Sequence, residues 1–221
     1  MKDECGMRNA ECGIKEFCLF YNKAGRGDIY NSSIVIPSVM AKIYLVRHGK
    51  ATAGWGMEKD PGLDDLGRAQ AKAAALTLAP LGPLPIITSP LTRTRETSRP
   101  LAEIWDIEPQ VEKRVGEIRF PSGSQSSRVQ WLQSIMGDKW SNLDPNLKVW
   151  RRQVIVALCS CQADCVVFSH FIAINAAFGH ATGDDRVVSF RPDNCSITIM
   201  ETNGDNITLV KLGDEADTRV N

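Results

Sequence analysis

Short apolar runs alternate with amphipathic stretches along the chain from Ala41 onward. The run Lys42–Arg47 is mostly apolar and contains β-branched side chains, which predicts a buried strand. Apolar positions then recur with the period of a helix over about Asp64–Leu78. The same reasoning predicts further strands at Leu84–Thr88, Cys165–Phe168, Ser196–Glu201 and Asn206–Leu212, and a short extended segment near Gln110–Lys113. It predicts further helices at about Leu91–Ile104, Arg128–Met136, Pro145–Cys159 and Phe171–Gly179.

The order of these elements favours one fold class. Strands that are separated by helices indicate a mostly parallel sheet with helices on both faces. Asn203-Gly204 lies between the last two strands and is a strong hairpin signal, so we expect an antiparallel edge. The sequence therefore predicts an α/β three-layer sandwich over residues 40–221. Pro100 lies inside the second predicted helix and predicts a kink or an early break there.

The first 39 residues differ from the rest of the chain. They mix charged residues, glycine and cysteine without the periodicity of a helix or a strand. We expect residues 1–39 to be an N-terminal extension that is not part of the core, with Met40 marking the start of the compact domain. The alternative is that Ile34–Ile36 adds an edge strand to the sheet.

Composition narrows the classes of partner. Lysine and arginine number 26, as do aspartate and glutamate, so no broad positive surface is predicted for nucleic acid or an anionic membrane. No apolar stretch approaches the ~20 residues of a membrane span, and the N-terminus does not resemble a signal peptide. The 7 cysteines lack the paired spacing of zinc sites, which favours buried reduced thiols. We therefore expect a cytoplasmic protein without nucleic-acid or membrane partners; a homodimer stays open.

Polar residues suited to phosphate chemistry follow several of the predicted strands. Arg47 and His48 end the first strand, and His170 follows a later one. Arg93 lies in the first turn of a helix, where backbone N–H groups already favour an anion, and Glu117 lies in a loop-like stretch. Because ligands of open α/β sheets bind beyond the carboxyl ends of the strands, these side chains can converge on one crevice. Taken alone, an Arg-His pair at a strand end is more often an ordinary polar loop.

The ordered set of motifs resembles the histidine phosphatase superfamily, whose founding fold is that of cofactor-dependent phosphoglycerate mutase. The resemblance covers about Ala41–Asp214. It rests on Arg47-His48-Gly49, the helix entry from Leu63 to Ala71, Ser89-Pro90-Leu91 with Arg93 and Glu96-Thr97, Glu117, Ser169-His170 and Pro192–Thr198. Each motif is weak by itself, whereas the ordered set is highly specific. The resemblance implies a phosphoglycerate mutase-like fold.

The resemblance also implies a role for each of five residues. His48 would be the nucleophile that attacks phosphorus and forms a phosphohistidine, which water then hydrolyses. Arg47, Arg93 and His170 would surround the phosphoryl oxygens, where charge spreads in the transition state. Glu117 would be the general acid for the leaving oxygen and then the base for the attacking water. Because Arg47, Arg93 and His170 would neutralise the phosphoryl charge, we expect neither a metal ion nor a cofactor.

Two further expectations concern the nucleophile and the acid. The reacting nitrogen of His48 must be unprotonated, so we expect its other ring nitrogen to donate to a nearby main-chain carbonyl. One branch of the superfamily carries its acid immediately after the second histidine. Phe171 occupies that position here, which excludes that branch and leaves Glu117 as the obvious acid. The chain thus resembles a phosphatase-type member of branch 1.

The loop after Gly49 departs from the mutase pattern, which carries an asparagine there. Lys50 and Trp55 are its candidate substrate-binding residues, with simple packing as the alternative for Trp55. Arg95 and Arg119 lie near the expected mouth of the crevice, where they could contact an acidic substrate. No readable pattern in these loops names the substrate.

The leading interpretation is a metal-independent phosphatase that hydrolyses a phosphomonoester, with a phosphorylated small molecule or a phosphoprotein as its partner. The start of the loop, Arg47–Ala51, also resembles the phosphohistidine protein phosphatases, which are the first alternative. A phosphoglycerate mutase-like phosphotransferase is disfavoured, because residues 119–150 are too short and too poor in basic residues for the mutase insertion. A catalytically idle phosphate-binding module is a further alternative, although none of the five core positions is lost.

Overall fold

Residues 40–54, 60–119 and 125–216 are described by the structure, a computed structural model. The strands are β1 (Ala41–Arg47), β2 (Ile86–Thr88), β3 (Gln110–Val111), β4 (Cys165–Ser169), β5 (Ile197–Thr202) and β6 (Ile207–Lys211). The α-helices are α1 (Asp65–Leu78), α2 (Thr92–Trp105), α3 (Gln125–Met136), α4 (Pro145–Cys159) and α5 (Phe171–Thr182). Residues 1–39, with the suggested edge strand, and Trp55 lie outside the described residues.

The six strands form one mixed sheet in the order β3-β2-β4-β1-β5-β6. The four strands from β3 to β1 are mutually parallel, whereas β5 is antiparallel to β1 and β6 to β5. β5 and β6 form the predicted hairpin, in whose turn Gly204 adopts a φ of 92°. The predicted fold class, a mostly parallel sheet with an antiparallel edge and flanking helices, is confirmed.

Both faces of the central strands are buried, as expected for a parallel sheet between layers of helices. On β1, Ile43 contributes to a core that includes α4 and α5, whereas Val46 contributes to a core with α1 and α2. Val167 and Val166 on β4 divide between the same two cores. A slip of one residue would exchange these two sets of side chains, so burial fixes the register of β1 against β4.

α2 differs from its prediction at the proline. The helix continues past Pro100 to Trp105, so the predicted early break is wrong. Leu101 and Ala102 directly after the proline are buried in the core that α2 shares with α1. Their burial offsets the helical hydrogen bond that a proline cannot donate.

Two broader features of the chain can be read from the described residues. Cys159, Cys161, Cys165 and Cys195 are free thiols, and the first three are buried. Within the described ranges, every helix is too short or too polar to span a lipid bilayer.

Candidate active site

The carboxyl ends of β1, β2 and β4 meet at one edge of the sheet, and strand register decides which side chains lie there. Arg47 at the end of β1 pairs with Ser169 at the end of β4. His48 and His170 are the next residues, and the N–H of His48 donates to the carbonyl of Ser169 (3.1 Å). Ser89 directly follows β2 and donates its N–H to a carbonyl of β4 (3.1 Å). The two histidine rings consequently lie with their centroids 5.2 Å apart.

His48 is buried and is held in one tautomer. Its Nδ1 lies 2.8 Å from the carbonyl oxygen of Gly49. A carbonyl can only accept, so Nδ1 carries the hydrogen and Nε2 keeps its lone pair, as expected for a nucleophile. Nε2 has no hydrogen-bond partner among the described residues. Burial, and then the charges of Arg93 and Arg47, hold the pKa of this imidazole well below its usual range, so His48 is neutral.

The loop that precedes β5 fixes the end of β1. The N–H of Arg47 donates to the carbonyl of Ser196 (3.2 Å), and its Nη1 donates to the carbonyl of Pro192 (2.8 Å). Nδ2 of Asn194 donates to the carbonyl of His48 (2.9 Å). These three bonds come from a segment far along the chain, and they orient the backbone on which the nucleophile is carried.

Two glycines allow the loop after β1 to lie directly against α1. A Cβ atom on Gly49 would lie 2.6 Å from the carbonyl oxygen of Gly67, and a Cβ atom on Gly67 would collide with the carbonyl of Lys50. The N–H of Gly49 donates to Oγ1 of Thr97 on α2 (3.0 Å). The carbonyl that fixes the tautomer of His48 is therefore itself held between two helices.

His170 is the cap residue that directly precedes α5, and it is completely buried. Its Nε2 lies 2.7 Å from Oγ of Ser89, whereas Nδ1 has no partner among the described residues. Burial lowers the pKa of this imidazole well below its usual range, and His48 and the two arginines Arg93 and Arg47 act in the same direction. The site therefore contains two neutral imidazoles.

Arg47 and Arg93 supply the positive charge of the site. Arg47 is only 9% exposed, its guanidinium lies 5.2 Å from the ring centroid of Phe171, and its Nε has no partner in the described part of the chain. Burial lowers the pKa of Arg47, and the nearby Glu117 and Asp193 oppose that shift. An arginine nevertheless stays protonated in a protein.

Arg93 is positioned by the first turn of α2. Its side chain is 12% exposed, and its Nη1 lies 3.9 Å from a carboxylate oxygen of Asp60. The same carboxylate accepts from the N–H (3.0 Å) and Oγ1 (2.7 Å) of Thr92. Leu91, at the cap position of α2, offers no side-chain acceptor, so Asp60 supplies the cap from the loop after β1.

Glu117 lies beside the arginines, in the irregular segment after β3. One oxygen of Glu117 accepts from the N–H of Ile118 (2.9 Å), and the other faces the N–H of Ile172 on α5 (3.3 Å). Burial raises the pKa of this carboxyl, although the two amides and the arginines Arg93 and Arg47 oppose the shift. A raised pKa keeps a carboxyl protonated nearer to neutral pH, which suits a general acid.

Three side-chain nitrogens of the candidate active site are buried and lack a hydrogen-bond partner in the described part of the chain. Nε of Arg47, Nε2 of His48 and Nδ1 of His170 are all buried without a hydrogen-bond partner among the described residues. Buried polar atoms are nearly always paired in proteins, so such a group indicates the place of a polar ligand. No cluster of His, Cys, Asp and Glu side chains in residues 40–54, 60–119 and 125–216 could hold a metal ion.

Two substrate-binding residues, Lys50 and Trp55, were suggested for the loop after Gly49. Lys50 lies at the surface, where its Nζ is 3.2 Å from a carboxylate oxygen of Asp64, and its contact with a substrate stays a prediction. Trp55 lies outside the described residues. Arg95 lines a groove between α2 and β3 whose lining residues include none of the five predicted catalytic residues.

Three residues with a part in the site were not given a role from the sequence: Ser89, Asn194 and Asp60. Ser89 occupies the strand-end position that identified the two histidines, so the same signal could have found it. Asn194 lies in the motif Pro192–Thr198, but its contact with His48 spans a large sequence separation that the motif does not reveal. Asp60 also acts across a large separation, and no local pattern marks it.

Comparison with known families gives one match over most of the chain. The family described as "Histidine phosphatase superfamily (branch 1)" matches residues 43–215. This range includes every described strand and helix except the first two residues of β1.

Solved structures share the fold at low sequence identity. A mycobacterial glucosyl-3-phosphoglycerate phosphatase complexed with VO3 has a TM-score of 0.63 and 20% identity, covering 79% of this chain and 100% of that one. A phosphoserine phosphatase from Entamoeba histolytica in complex with 3-phosphoglyceric acid has a TM-score of 0.62 and 20% identity, covering 80% and 98%. YhfR from Bacillus stearothermophilus reaches 0.66 at 18% identity, covering 80% and 98%.

A curated relative is similar over a shorter stretch. The PE-PGRS family protein PE_PGRS11 of Mycobacterium tuberculosis is 42% identical over 82 residues. That stretch is 34% of this chain and 14% of the relative, so the chain spans only a small part of that protein's length.

Proposed function

This chain belongs to branch 1 of the histidine phosphatase superfamily, and from that membership we propose that it is a metal-independent phosphatase. It hydrolyses a phosphomonoester through a phosphohistidine on His48. The observation that carries the proposal is that Nε2 of the neutral His48 is buried beside Arg47 and Arg93 with no hydrogen-bond partner in the described part of the chain. A nucleophile next to two fixed cations is what phosphoryl transfer requires, since most of its catalysis is positioning and charge stabilisation.

In the first step, the lone pair of Nε2 on His48 forms the bond to phosphorus while the bond to the leaving oxygen breaks. Glu117 donates its proton to that oxygen, so the leaving group departs as an alcohol. Arg47 and Arg93 balance the negative charge that spreads over the other phosphoryl oxygens. The hydrogen bond from Nδ1 to Gly49 stabilises the imidazole as it gains a bond and positive charge.

In the second step, water attacks phosphorus and the phosphorus–nitrogen bond breaks. Glu117, now a carboxylate, takes a proton from the water, and Nε2 of His48 regains its lone pair. Inorganic phosphate and the protonated Glu117 are the products of this step. The raised pKa of Glu117 favours its return to the acid form.

The substrate is a phosphorylated small molecule or a phosphoprotein. The residues of the site support the class of reaction, which is hydrolysis of a phosphomonoester. The structural relatives are described as phosphatases of glucosyl-3-phosphoglycerate and of phosphoserine, and at 20% identity their likeness concerns the fold. We further propose that the protein works in the cytoplasm, because the free buried thiols Cys159, Cys161 and Cys165 suit a reducing compartment.

Turnover of p-nitrophenyl phosphate in excess EDTA tests the proposal. Wild type should be active, and His48→Asn should lose activity by at least ~10³-fold, as expected for loss of a nucleophile. His180→Asn is the matched control, because His180 lies at the surface against Asn206. Equal turnover by wild type and His48→Asn would remove His48 from the mechanism, and loss of wild-type activity in EDTA would contradict the metal-independent reaction.

A further inference from the structure

Ser89 is a completely buried hydroxyl in the site, and the steps described above do not use it. It follows β2 directly, and its own carbonyl accepts from Oγ1 of Thr94 (3.0 Å). Among the described residues, two groups lie within hydrogen-bond distance of its hydroxyl oxygen: Nε2 of His170 at 2.7 Å and the N–H of Leu91 at 3.3 Å. Because its backbone is held by β4 and α2, the hydroxyl oxygen has a fixed position against the imidazole.

The donors and acceptors around the hydroxyl of Ser89 fix the direction of its hydrogen bond with His170. A serine hydroxyl has one hydrogen to donate and two lone pairs with which to accept. The N–H of Leu91 can only donate, so it uses one lone pair of Ser89. If Nε2 of His170 donated as well, the hydroxyl hydrogen would be left without an acceptor among the described residues. If the hydroxyl donates to Nε2, every polar hydrogen of this group is used.

We propose that Ser89 is a positioning residue that holds His170 in the tautomer with its hydrogen on Nδ1. Nδ1 is the ring nitrogen that is buried without a partner. In this tautomer it presents an N–H to the site, where, on the proposed function, it donates to a phosphoryl oxygen. The opposite tautomer would present a lone pair, which repels that oxygen.

The two imidazoles are then used in complementary ways. His48 is held by the carbonyl of Gly49, which can only accept, so its free nitrogen is a lone pair. His170 is held by a hydroxyl that donates, so its free nitrogen is an N–H. Their ring centroids lie 5.2 Å apart, so one ring attacks phosphorus while its neighbour binds an oxygen of the same group. The lowered pKa of each ring is consistent with these neutral tautomers.

The test is long-range ¹H–¹⁵N NMR of the ¹⁵N-histidine-labelled protein without ligand, since protonated and unprotonated ring nitrogens have distinct chemical shifts. The chain has 3 histidines, so spectra of His48→Asn and His180→Asn leave the signals of His170 by elimination. We expect a protonated Nδ1 and an unprotonated Nε2 in wild type. Protonation at Nε2 in the wild-type protein overturns the proposal, and this result needs no enzymatic activity.

Ser89→Ala and Ser89→Thr supply the kinetic arm, because threonine keeps the hydroxyl. We expect Ser89→Ala to move the hydrogen of His170 towards Nε2 and to weaken competitive inhibition by inorganic phosphate by about tenfold, the usual effect of one hydrogen bond. Ser89→Thr should retain the wild-type tautomer. An unchanged tautomer in a folded Ser89→Ala protein overturns the role of Ser89. If turnover is absent in wild type but the tautomer is as expected, the proposed function fails and this inference stands.

Discussion

His48 shows how a single side chain acquires its chemistry from its neighbours. The sequence predicted a strand-end histidine whose second nitrogen donates to a main-chain carbonyl, and the structure identifies that carbonyl as Gly49 (2.8 Å). The prediction was possible because a buried strand followed by Arg-His-Gly is a local pattern. The contacts of Ser89 and Asn194 could not be predicted in the same way, because they depend on the register between distant segments.

The role of Glu117 as the general acid leads to a prediction about a single side chain. Glu117→Gln cannot donate a proton to the leaving oxygen, so turnover of an alkyl phosphate should fall by ~10²-fold or more. The first-turnover release of p-nitrophenolate should slow by less than about tenfold, because nitrophenolate leaves without a proton. Rapid-quench kinetics of leaving-group release in the first turnover measures the difference, since the second step, in which Glu117 is the base, is the same for both substrates. Glu112→Gln is the control, since Glu112 pairs with Arg114; equal losses on both substrates would show that Glu117 is not the acid.

Gly49 gives a second prediction, about backbone spacing. Gly49→Ala places a methyl group 2.6 Å from the carbonyl oxygen of Gly67, which the backbone must move to relieve. We expect the free energy of unfolding in urea to fall by about 1–3 kcal/mol, with kcat reduced because the carbonyl that holds His48 shifts. Gly137→Ala is the control, because its nearest neighbour would lie 3.9 Å away. A Gly49→Ala protein with wild-type stability would refute the close approach.

For the helices and strands, the periodicity of the sequence predicted where each element lies. It did not predict the contacts between distant segments. The predicted bounds of α4 agree with the structure, and α1 begins one residue after its predicted start because Asp64 is its cap. The cap of α2, unlike that of α1, does not come from the residue directly before the helix. It comes from Asp60, which lies 32 residues before Thr92. A cap supplied across such a separation leaves no local pattern.

The cap of α2 can be tested by Asp60→Ala. The substitution removes the acceptor for both polar hydrogens of Thr92. The free energy of unfolding in urea should therefore fall by about 1 kcal/mol. We also expect a higher KM, because the first turn of α2 carries Arg93. Asp65→Ala is the matched control: its ion pair with Arg68 is at the surface, so stability should change by less than about 0.5 kcal/mol. Equal effects of the two substitutions would argue against a cap at Asp60.

For the whole molecule, the sheet order is what turns separate motifs into a site. The sequence predicted strands, helices and the order of the motifs along the chain, and the resemblance to a family implied that the motifs converge. The strand order β2-β4-β1 and its register could not be obtained from periodicity alone, because pairing between parallel strands is set by packing on both faces. That order places the two histidines and Ser89 on neighbouring strand ends.

Burial of two neutral histidines also affects the stability of the molecule as a whole. An unfolded histidine binds a proton below about pH 6.5, whereas His48 and His170 have pKa values well below this in the folded protein. Below pH 6.5 the unfolded chain therefore binds more protons, and stability falls as the pH falls. Glu117, whose folded pKa is raised, acts in the opposite direction above its unfolded pKa.

We expect the two histidines together to cost about 2–3 kcal/mol of stability between pH 7.5 and pH 5.5. Urea unfolding at the two pH values measures the loss. Between these two pH values, the free energy of unfolding of the double variant His48→Asn/His170→Asn should fall by about 2–3 kcal/mol less than that of wild type. His180→Asn should behave like wild type. An identical pH dependence in wild type and the double variant would contradict the burial of two neutral imidazoles.

Covalent phosphorylation of His48 is the event on which the proposed mechanism depends. Acid quench destroys phosphohistidine, so the protein should be mixed with a ³²P-labelled phosphomonoester, quenched in alkali within milliseconds and digested for mass spectrometry. We predict an alkali-stable, acid-labile phosphate on the peptide that contains His48, formed before steady state and absent from His48→Asn. Turnover by wild type without phosphate on His48 at any quench time would show that His48 is not the nucleophile.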